Sequence, residues 1–355
     1  MIRRYLGDYS GFKCTADKCP DSCCKGWEIG IDDESIDMYK FMADSGHDFF
    51  NERVDFEQAC FKQDKKGDCA CLRPDGLCQL QMDYGQKYLC ATCDLFPRHI
   101  EEFPEVREYS LSASCPEVAL SMVRMRELMD YEEKSDESVD ADEYEDFNQD
   151  LYNLLLVCRH RILAVLREED LPLLDRYSTI LYFMEKVQGD IDMGLYPMED
   201  LDQYLSDARA YKLALSFEDK KRIAGLIFEM DPLDETFVAR LSEGFGKLFS
   251  SQENFDNSFE AFMNDHQTIH TTITNLSIYF IFTYFCGAVY DDYVLAQARA
   301  GIFHSLVILL IWVSMSDNGQ IGQEDMAYFL YKYCRELENC TENIMLIEHF
   351  MDEID

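Results

Sequence analysis

The residues with chemistry to offer are cysteines, and they are unevenly spread. Of the fifteen in the chain, eleven lie between Cys14 and Cys115. They run C-x4-C-x3-C-C at Cys14, Cys19, Cys23 and Cys24, then Cys60, Cys69, Cys71 and Cys78, then C-x2-C at Cys90 and Cys93, then Cys115. Thiols at this density either pair as disulfides or ligate metal. A tetrahedral zinc site or an iron–sulfur cluster takes four ligands, mainly thiolate. Cys19/Cys23 and Cys90/Cys93 each supply two from one loop. Pro74-Asp75-Gly76 is a turn signal that sets Cys69 and Cys78 on either side of a reversal. Adjacent Cys23 and Cys24 point in different directions, so both on one metal atom is awkward; one packs, or serves a second site.

The rest of the chain decides between bridges and metal. Its opening turns polar at Asp8 without forming an apolar secretory segment. That points to a cytoplasmic, reducing setting, where clustered cysteines are metal ligands before they are disulfides. With 355 residues, 47% of them hydrophobic, the chain can bury a core without covalent staples. A formal charge of −37, from 32 basic and 69 acidic side chains, argues against a nucleic-acid backbone as partner. It suits a positively charged partner such as a lysine-bearing protein, with solubility alone as the bland alternative. No run reaches the ~18 uninterrupted apolar residues of a membrane helix. Residues 276–290 and 302–313 come nearest and read as buried core helices.

The elements that must position the cysteines are short. Asp32 is placed to cap a helix over 33–43 that stops at Ser45-Gly46. Pro97, Pro104 and Pro116 punctuate the remainder, and residues 116–129 read as a helix leading out. Loop-rich chain with many cysteines is what a metal-stapled domain looks like. Residues 130–146 hold ten carboxylates and the single Lys134, which reads as an acidic linker or long loop. Beyond it Leu151, Leu154, Leu155, Cys158, Ile162, Val165 and Leu166 form a helical stripe. Helical patterns then continue to the C-terminus, with Pro172, Pro197 and Pro232 between them. The expected fold is mainly α: a loop-rich cysteine and metal-cluster domain over 1–129, a linker over 130–146, and an all-α domain over 147–355.

Several of these stretches carry a resemblance. Phe12-Lys13-Cys14, Cys19-Pro20-Asp21-Ser22-Cys23-Cys24-Lys25-Gly26-Trp27 and Ile29-Gly30-Ile31-Asp32 resemble the opening of the flagellin lysine-N-methylase family. Cys69 followed by Asp75-Gly76-Leu77-Cys78-Gln79-Leu80-Gln81 is similar to its next block. Leu89-Cys90-Ala91-Thr92-Cys93, Phe96-Pro97-Arg98, Glu108-Tyr109-Ser110-Leu111-Ser112 and Ser114-Cys115-Pro116-Glu117 are similar to its last. The order and gaps match over roughly residues 5–125, and the cysteine pattern is shared more loosely with zinc- or iron-chelating domains. The resemblance implies methylation of lysine side chains on flagellin or a similar protein, with S-adenosylmethionine as donor. It implies an iron–sulfur cluster, of the 4Fe-4S type with zinc as the alternative. The ligand candidates it implies are Cys14, Cys19, Cys23, Cys24, Cys69, Cys78, Cys90, Cys93 and Cys115. Cys60 and Cys71 fall outside its pattern. Arg98 is a family position suited to a donor carboxylate or to the cluster's charge, or to an ion pair with a nearby acid.

Other candidates are weaker. Gly244-Phe245-Gly246 lacks a third glycine and sits in a helical stretch, so it is a poor dinucleotide loop. The C-x3-C-x2-C of radical enzymes fails at Gly26. His266 and His270, spaced i, i+4, could share a metal, but Gln267 rules out the zinc-protease motif. Trp27 reads as packing. Lysine must lose a proton before it accepts a methyl group, and among so many acids and tyrosines the sequence singles out no catalytic base. Two other function classes stay open: a zinc-stabilised protein-binding module, and an iron–sulfur electron-transfer protein.

Overall fold

A computed structural model describes residues 1–136, 147–212, 215–230, 234–264 and 267–338. The element order is β1 (Ile2–Leu6), α1 (Asp33–Asp44), α2 (Asp48–Arg53), β2 (Val54–Asp55), β3 (Cys60–Phe61), α3 (Gln79–Tyr84), α4 (Ala91–Leu95), β4 (Arg98–Glu102), β5 (Val106–Leu111), α5 (Pro116–Arg124) and β6 (Tyr131–Ser135). Nine helices follow among the described residues: α6 (Gln149–Leu166), α7 (Leu173–Ile191), α8 (Leu201–Ala208), α9 (Phe217–Gly225), α10 (Glu235–Leu248), α11 (Gln252–Asn264), α12 (Gln267–Tyr284), α13 (Val294–Met315) and α14 (Gln323–Glu338). The mainly-α class therefore holds, and α1 starts as read, with the Asp32 carboxylate accepting from Ser35 N at 3.0 Å. The helix expected over 341–353 lies outside the described residues.

The body is built around α13. Residues 301–313 are buried on every side of that helix, as an all-round apolar helix must be. Its polar atoms are satisfied inside the core. His304 Nδ1 pairs with the Tyr333 hydroxyl at 2.9 Å, and burial pushes the imidazole down to about 3. The indole N–H of Trp312 donates to Met326 O at 3.0 Å. Gly244 on α10 is there for packing: a Cβ would stand 2.3 Å from Met315 Cε on α13. Thr268–Tyr290 and Val294–Met315 have the length and apolarity of a membrane crossing. In this fold both are largely buried within the protein.

A four-stranded sheet, absent from the sequence reading, leans on this body in the order β4-β5-β1-β6. Strands β1 and β5 are parallel, while β6 runs antiparallel to β1 with Ile2 opposite Ser135. The acidic stretch is thus strand where it was expected to be linker, from Tyr131 to Ser135. The cations that make this possible come from the other end of the chain: Arg3 meets Asp136 at 2.7 Å and Arg4 meets Glu133 at 2.9 Å. Residues 137–146, the rest of the expected linker, lie outside the described residues. Packing also divides elsewhere than at residue 129. One core holds Leu6, Phe103, Val106, α5 and Met129 together with the long helices. A smaller one gathers Trp27, Ile29, Ile36, Tyr39, Phe50, Phe61 and Leu80 among cysteines.

The sheet is pinned by a buried carboxylate. Glu108 on β5, 2% exposed, meets Arg159 on α6, 3% exposed, and also Arg4 on β1 at 3.0 Å. Arg159 donates as well to Phe282 O on α12 at 3.0 Å. Burial alone would raise the Glu108 pKa, but the two guanidiniums hold it below its ordinary value. This contribution is present above the unfolded-state pKa and is lost as pH falls through the lower folded value. Glu108→Gln should cost about 3–5 kcal/mol, because it strands Arg159 in the core. Urea unfolding at neutral pH checks this, and the gap between variant and parent should narrow in acid.

Candidate functional site

The cysteines are brought together by turns and by helix starts. Arg73 N donates to Leu77 O at 2.9 Å, and Gly76 takes φ +81° at the reversal, so Cys69 and Cys78 do become neighbours. Cys78, Cys90 and Cys115 are the residues at which α3, α4 and α5 begin. The contact with Cys24 and burial raise Cys78, burial raises Cys115, and the contact with Cys93 lowers Cys90; at all three the first-turn N–H groups act toward the thiolate, though none makes the short bond of an oxygen cap.

The sulfurs fall into two groups that meet at the Cys23–Cys24 peptide. Cys14, Cys19, Cys23 and Cys115 act on one another electrostatically. Cys24, Cys69, Cys71, Cys78, Cys90 and Cys93 do the same. The divergence of Cys23 and Cys24 is thus used: each serves a different group, with a contact between their sulfurs. Within the second group Cys69 pairs with Cys71 and Cys90 with Cys93, and in each pair the first thiol is lowered and the second raised. Neighbouring buried thiols cannot both ionise without a cation. Cys71, outside the family pattern, belongs to this group; its i+2 spacing from Cys69 was the available signal. Cys60 is buried in β3, apart from both.

All the described cysteines are free thiols. Among the described residues no three Cys, His, Asp or Glu side chains converge as the ligands of one bare ion do. The donor set is nonetheless all sulfur: Cys24, Cys69, Cys71, Cys90 and Cys115 are buried, Cys19, Cys78 and Cys93 are half-buried, and Cys14 and Cys23 are exposed. All-thiolate donor sets hold either a tetrahedral zinc ion or an iron–sulfur cluster.

Helix α14 holds the first group in place. Arg335 on α14, 5% exposed, donates from Nε to Ser114 O at 3.1 Å and from Nη2 to Asp21 O at 2.9 Å. Its Nη1 lies 2.9 Å from the Asp21 carboxylate, which Lys332 also reaches at 2.8 Å. The guanidinium stacks between Trp27, at 4.9 Å, and Tyr331, at 5.2 Å. Trp27 is therefore packing, as read, with a cation on its face. Burial raises the Cys19 pKa, and Arg335 opposes it there and at Cys23.

Beside the first group lies a cavity of about 190 Å³, between the loop after β1, α5 and α12. Met122, Met125, Met129 and Phe12 make it apolar, Tyr279 lines it from α12, and Asp8, Lys13 and Glu117 are its charged lining. Asp8 folds back onto Gly11 N at 3.0 Å, which only glycine permits: a Cβ there would sit 2.2 Å from a carboxylate oxygen. Arg98, at the start of β4, rests over the Phe12 ring at 5.6 Å. It stands beside the cavity loop and makes no ion pair among the described residues. Phe12 stands two residues before Cys14, so Arg98 lies against the loop that carries that cysteine. His266 lies outside the described residues.

Residues 159–355 match the family described as FliB lysine N-methylase C-terminal domain. The chain belongs to this lysine N-methylase family. The matched part includes Arg159, Tyr279, Lys332 and Arg335, the residues that grip the sheet and the cysteine loops. Two curated lysine-N-methylases, from Salmonella choleraesuis (strain SC-B67) and Salmonella typhimurium (strain LT2), are each 30% identical over 132 residues, 35% of this chain and 33% of theirs. A flagellar biosynthetic protein FliU of Salmonella muenchen is 29% identical over 131 residues, 35% of this chain and 78% of its own. The chain thus aligns with about a third of the length of the two lysine-N-methylases. No solved structure matches it.

In this family member the α14 clamp should be what keeps the Cys19–Cys24 loop closed. Arg335→Gln should raise hydrogen exchange in residues 19–27 by about tenfold or more, the loss of a buried charged contact being worth roughly 2–4 kcal/mol. Exchange in α7, remote from the clamp, should stay unchanged; mass-spectrometric exchange of the full chain reads both.

Proposed function

We propose that this protein transfers a methyl group from S-adenosylmethionine to lysine side chains of flagellin or a similar lysine-bearing protein. Family membership carries the reading, and the methionine-lined cavity with two carboxylates supports it. A lysine stem suits Met122, Met125 and Met129, while Asp8 and Glu117 attract the ammonium. Desolvation among the thioethers opposes that charge and favours the neutral amine. The amine lone pair attacks the methyl carbon, the carbon–sulfur bond breaks, and its electron pair stays on sulfur as a thioether. The amine proton leaves to a carboxylate or to water. A net charge of −37 favours encounter with lysine-bearing surfaces.

The chemistry of the thiols supports an iron–sulfur centre, of the 4Fe-4S type, on Cys14, Cys19, Cys23 and Cys115 or on Cys24, Cys69, Cys71, Cys78, Cys90 and Cys93. When bound, such a centre supplies the positive charge that keeps the thiolates ionised and an iron able to take an amino-carboxylate. Arg98, resting on Phe12 of the loop that carries Cys14, would contribute a cation for the donor's carboxylate. Free thiols in these numbers also favour a cytoplasmic setting. A second reading, a zinc-stabilised protein-binding module, draws on the close Cys69/Cys71 and Cys90/Cys93 pairs. Colour separates the two, because zinc thiolates are colourless and iron–sulfur clusters are brown.

The experiment is methyl transfer from labelled S-adenosylmethionine to flagellin by protein purified without oxygen. Label should appear on lysines. Asp8→Asn with Glu117→Gln should lower kcat/KM about tenfold or more at unchanged iron and sulfide content. Cluster-replete protein that leaves every lysine unlabelled would overturn the reading.

A further inference from the structure

A second cavity, of about 250 Å³, lies on the far side of α12, where α6 ends and α7 begins. Its lining includes Glu169, Leu171, Arg176, His270, Thr271 and Thr274. Arg176 is 4% exposed. Its Nε donates to Leu171 O at 2.7 Å, and its Nη1 to Leu166 O at 2.9 Å and to Thr274 Oγ1 at 3.2 Å. These bonds cap the end of α6, which is a sufficient structural role for two of the three nitrogens. They leave Nη2 without a hydrogen bond, and the guanidinium without a carboxylate within ion-pair distance, among the described residues. Glu168 is taken by Arg209 at 2.6 Å and reaches Arg176 only at longer range, and the adjacent Asp175 is taken by Lys212 at 2.6 Å. Glu169 is exposed and acts on Arg176 only at longer range.

Two further donors are unspent at the same place. Thr274 uses its oxygen to accept from Arg176, so its hydroxyl proton needs an acceptor, and none is present among the described residues. His270, half-buried, has no hydrogen-bond partner there either. A buried guanidinium is costly without a counter-charge. Three donors on two helices, all facing one cavity, are what an oxyanion takes.

We propose that this cavity is a binding site for a small oxyanion-bearing ligand, a carboxylate or a phosphate, held by Arg176 Nη2, the Thr274 hydroxyl and the His270 ring. The site is separate from the thiol groups and from the methionine-lined cavity, and it does not depend on the methyl-transfer reading. Glu169 at its edge would repel an anion in part, which favours a singly charged group over a fully ionised phosphate.

Isothermal titration of the full-length protein with inorganic phosphate, with malonate and with S-adenosylmethionine, at matched ionic strength against chloride, tests this. Saturable binding of at least one is expected, weakened about tenfold in Thr274→Val and in His270→Phe, which keep the Arg176 bonds to Leu166 and Leu171. Arg176→Gln should abolish it where the variant folds. A response to S-adenosylmethionine alone would make the ligand the donor's carboxylate; a response to phosphate or malonate would make it a separate effector. No saturable binding of any probe, or binding unchanged in both the Thr274 and His270 variants, overturns the proposal.

Discussion

A carboxylate buried between two guanidiniums joins the sheet of this protein to its helical body. Glu108 cannot be left alone in the core, nor can Arg159, so strand β5 and helix α6 hold one fixed separation. Arg4 extends the pairing to β1. The sheet's orientation then sets where β5 ends, and only four residues separate it from α5. Cys115, at the start of α5, arrives beside sulfurs nearly a hundred residues upstream because of that geometry.

The thiols form a second, opposite kind of constraint. A carboxylate among cations is stable as a charge, whereas several sulfurs among one another are stable only as neutral thiols or around a cation. Burial raises Cys115 to about 11, and Cys24, held mainly by its contact with Cys23, to about 12. Helix starts and Arg335 work in the other direction. The protein thus spends one buried arginine and three helix N-termini on a region that would otherwise resist ionisation. That expense is intelligible if a cationic inorganic centre completes it.

The methionine-lined cavity lies at the junction between the cysteine region and the helical body, and the second cavity lies within the helical body. Helix α12 contributes Tyr279 to one cavity and His270 and Thr274 to the other, on different faces. The same helix grips the chain after α5, with Asn275 accepting from Met129 N at 2.7 Å and donating to Glu127 O at 2.9 Å. A long apolar helix is well suited to this, since its packing on α13 fixes it rigidly. The few polar residues it carries are then held where they are needed.

Local chemistry was legible in the residues alone. The turn at Gly76, the Asp32 cap and the apolar stripes of the long helices all act over a few residues, and each had its expected consequence. The family followed from the same short blocks. What only the folded chain decided were pairings across a hundred residues or more. Residues 131–135 read as solvated linker because Arg3 and Arg4, which neutralise the start of that acidic run, stand at the opposite end of the sequence. Cys71 looked incidental until its neighbours closed around it, and Arg335 had no visible reason to matter to Cys19. Periodicity reports what a segment does with itself and with water; counter-charges and cavity walls come from segments that meet only when the core forms.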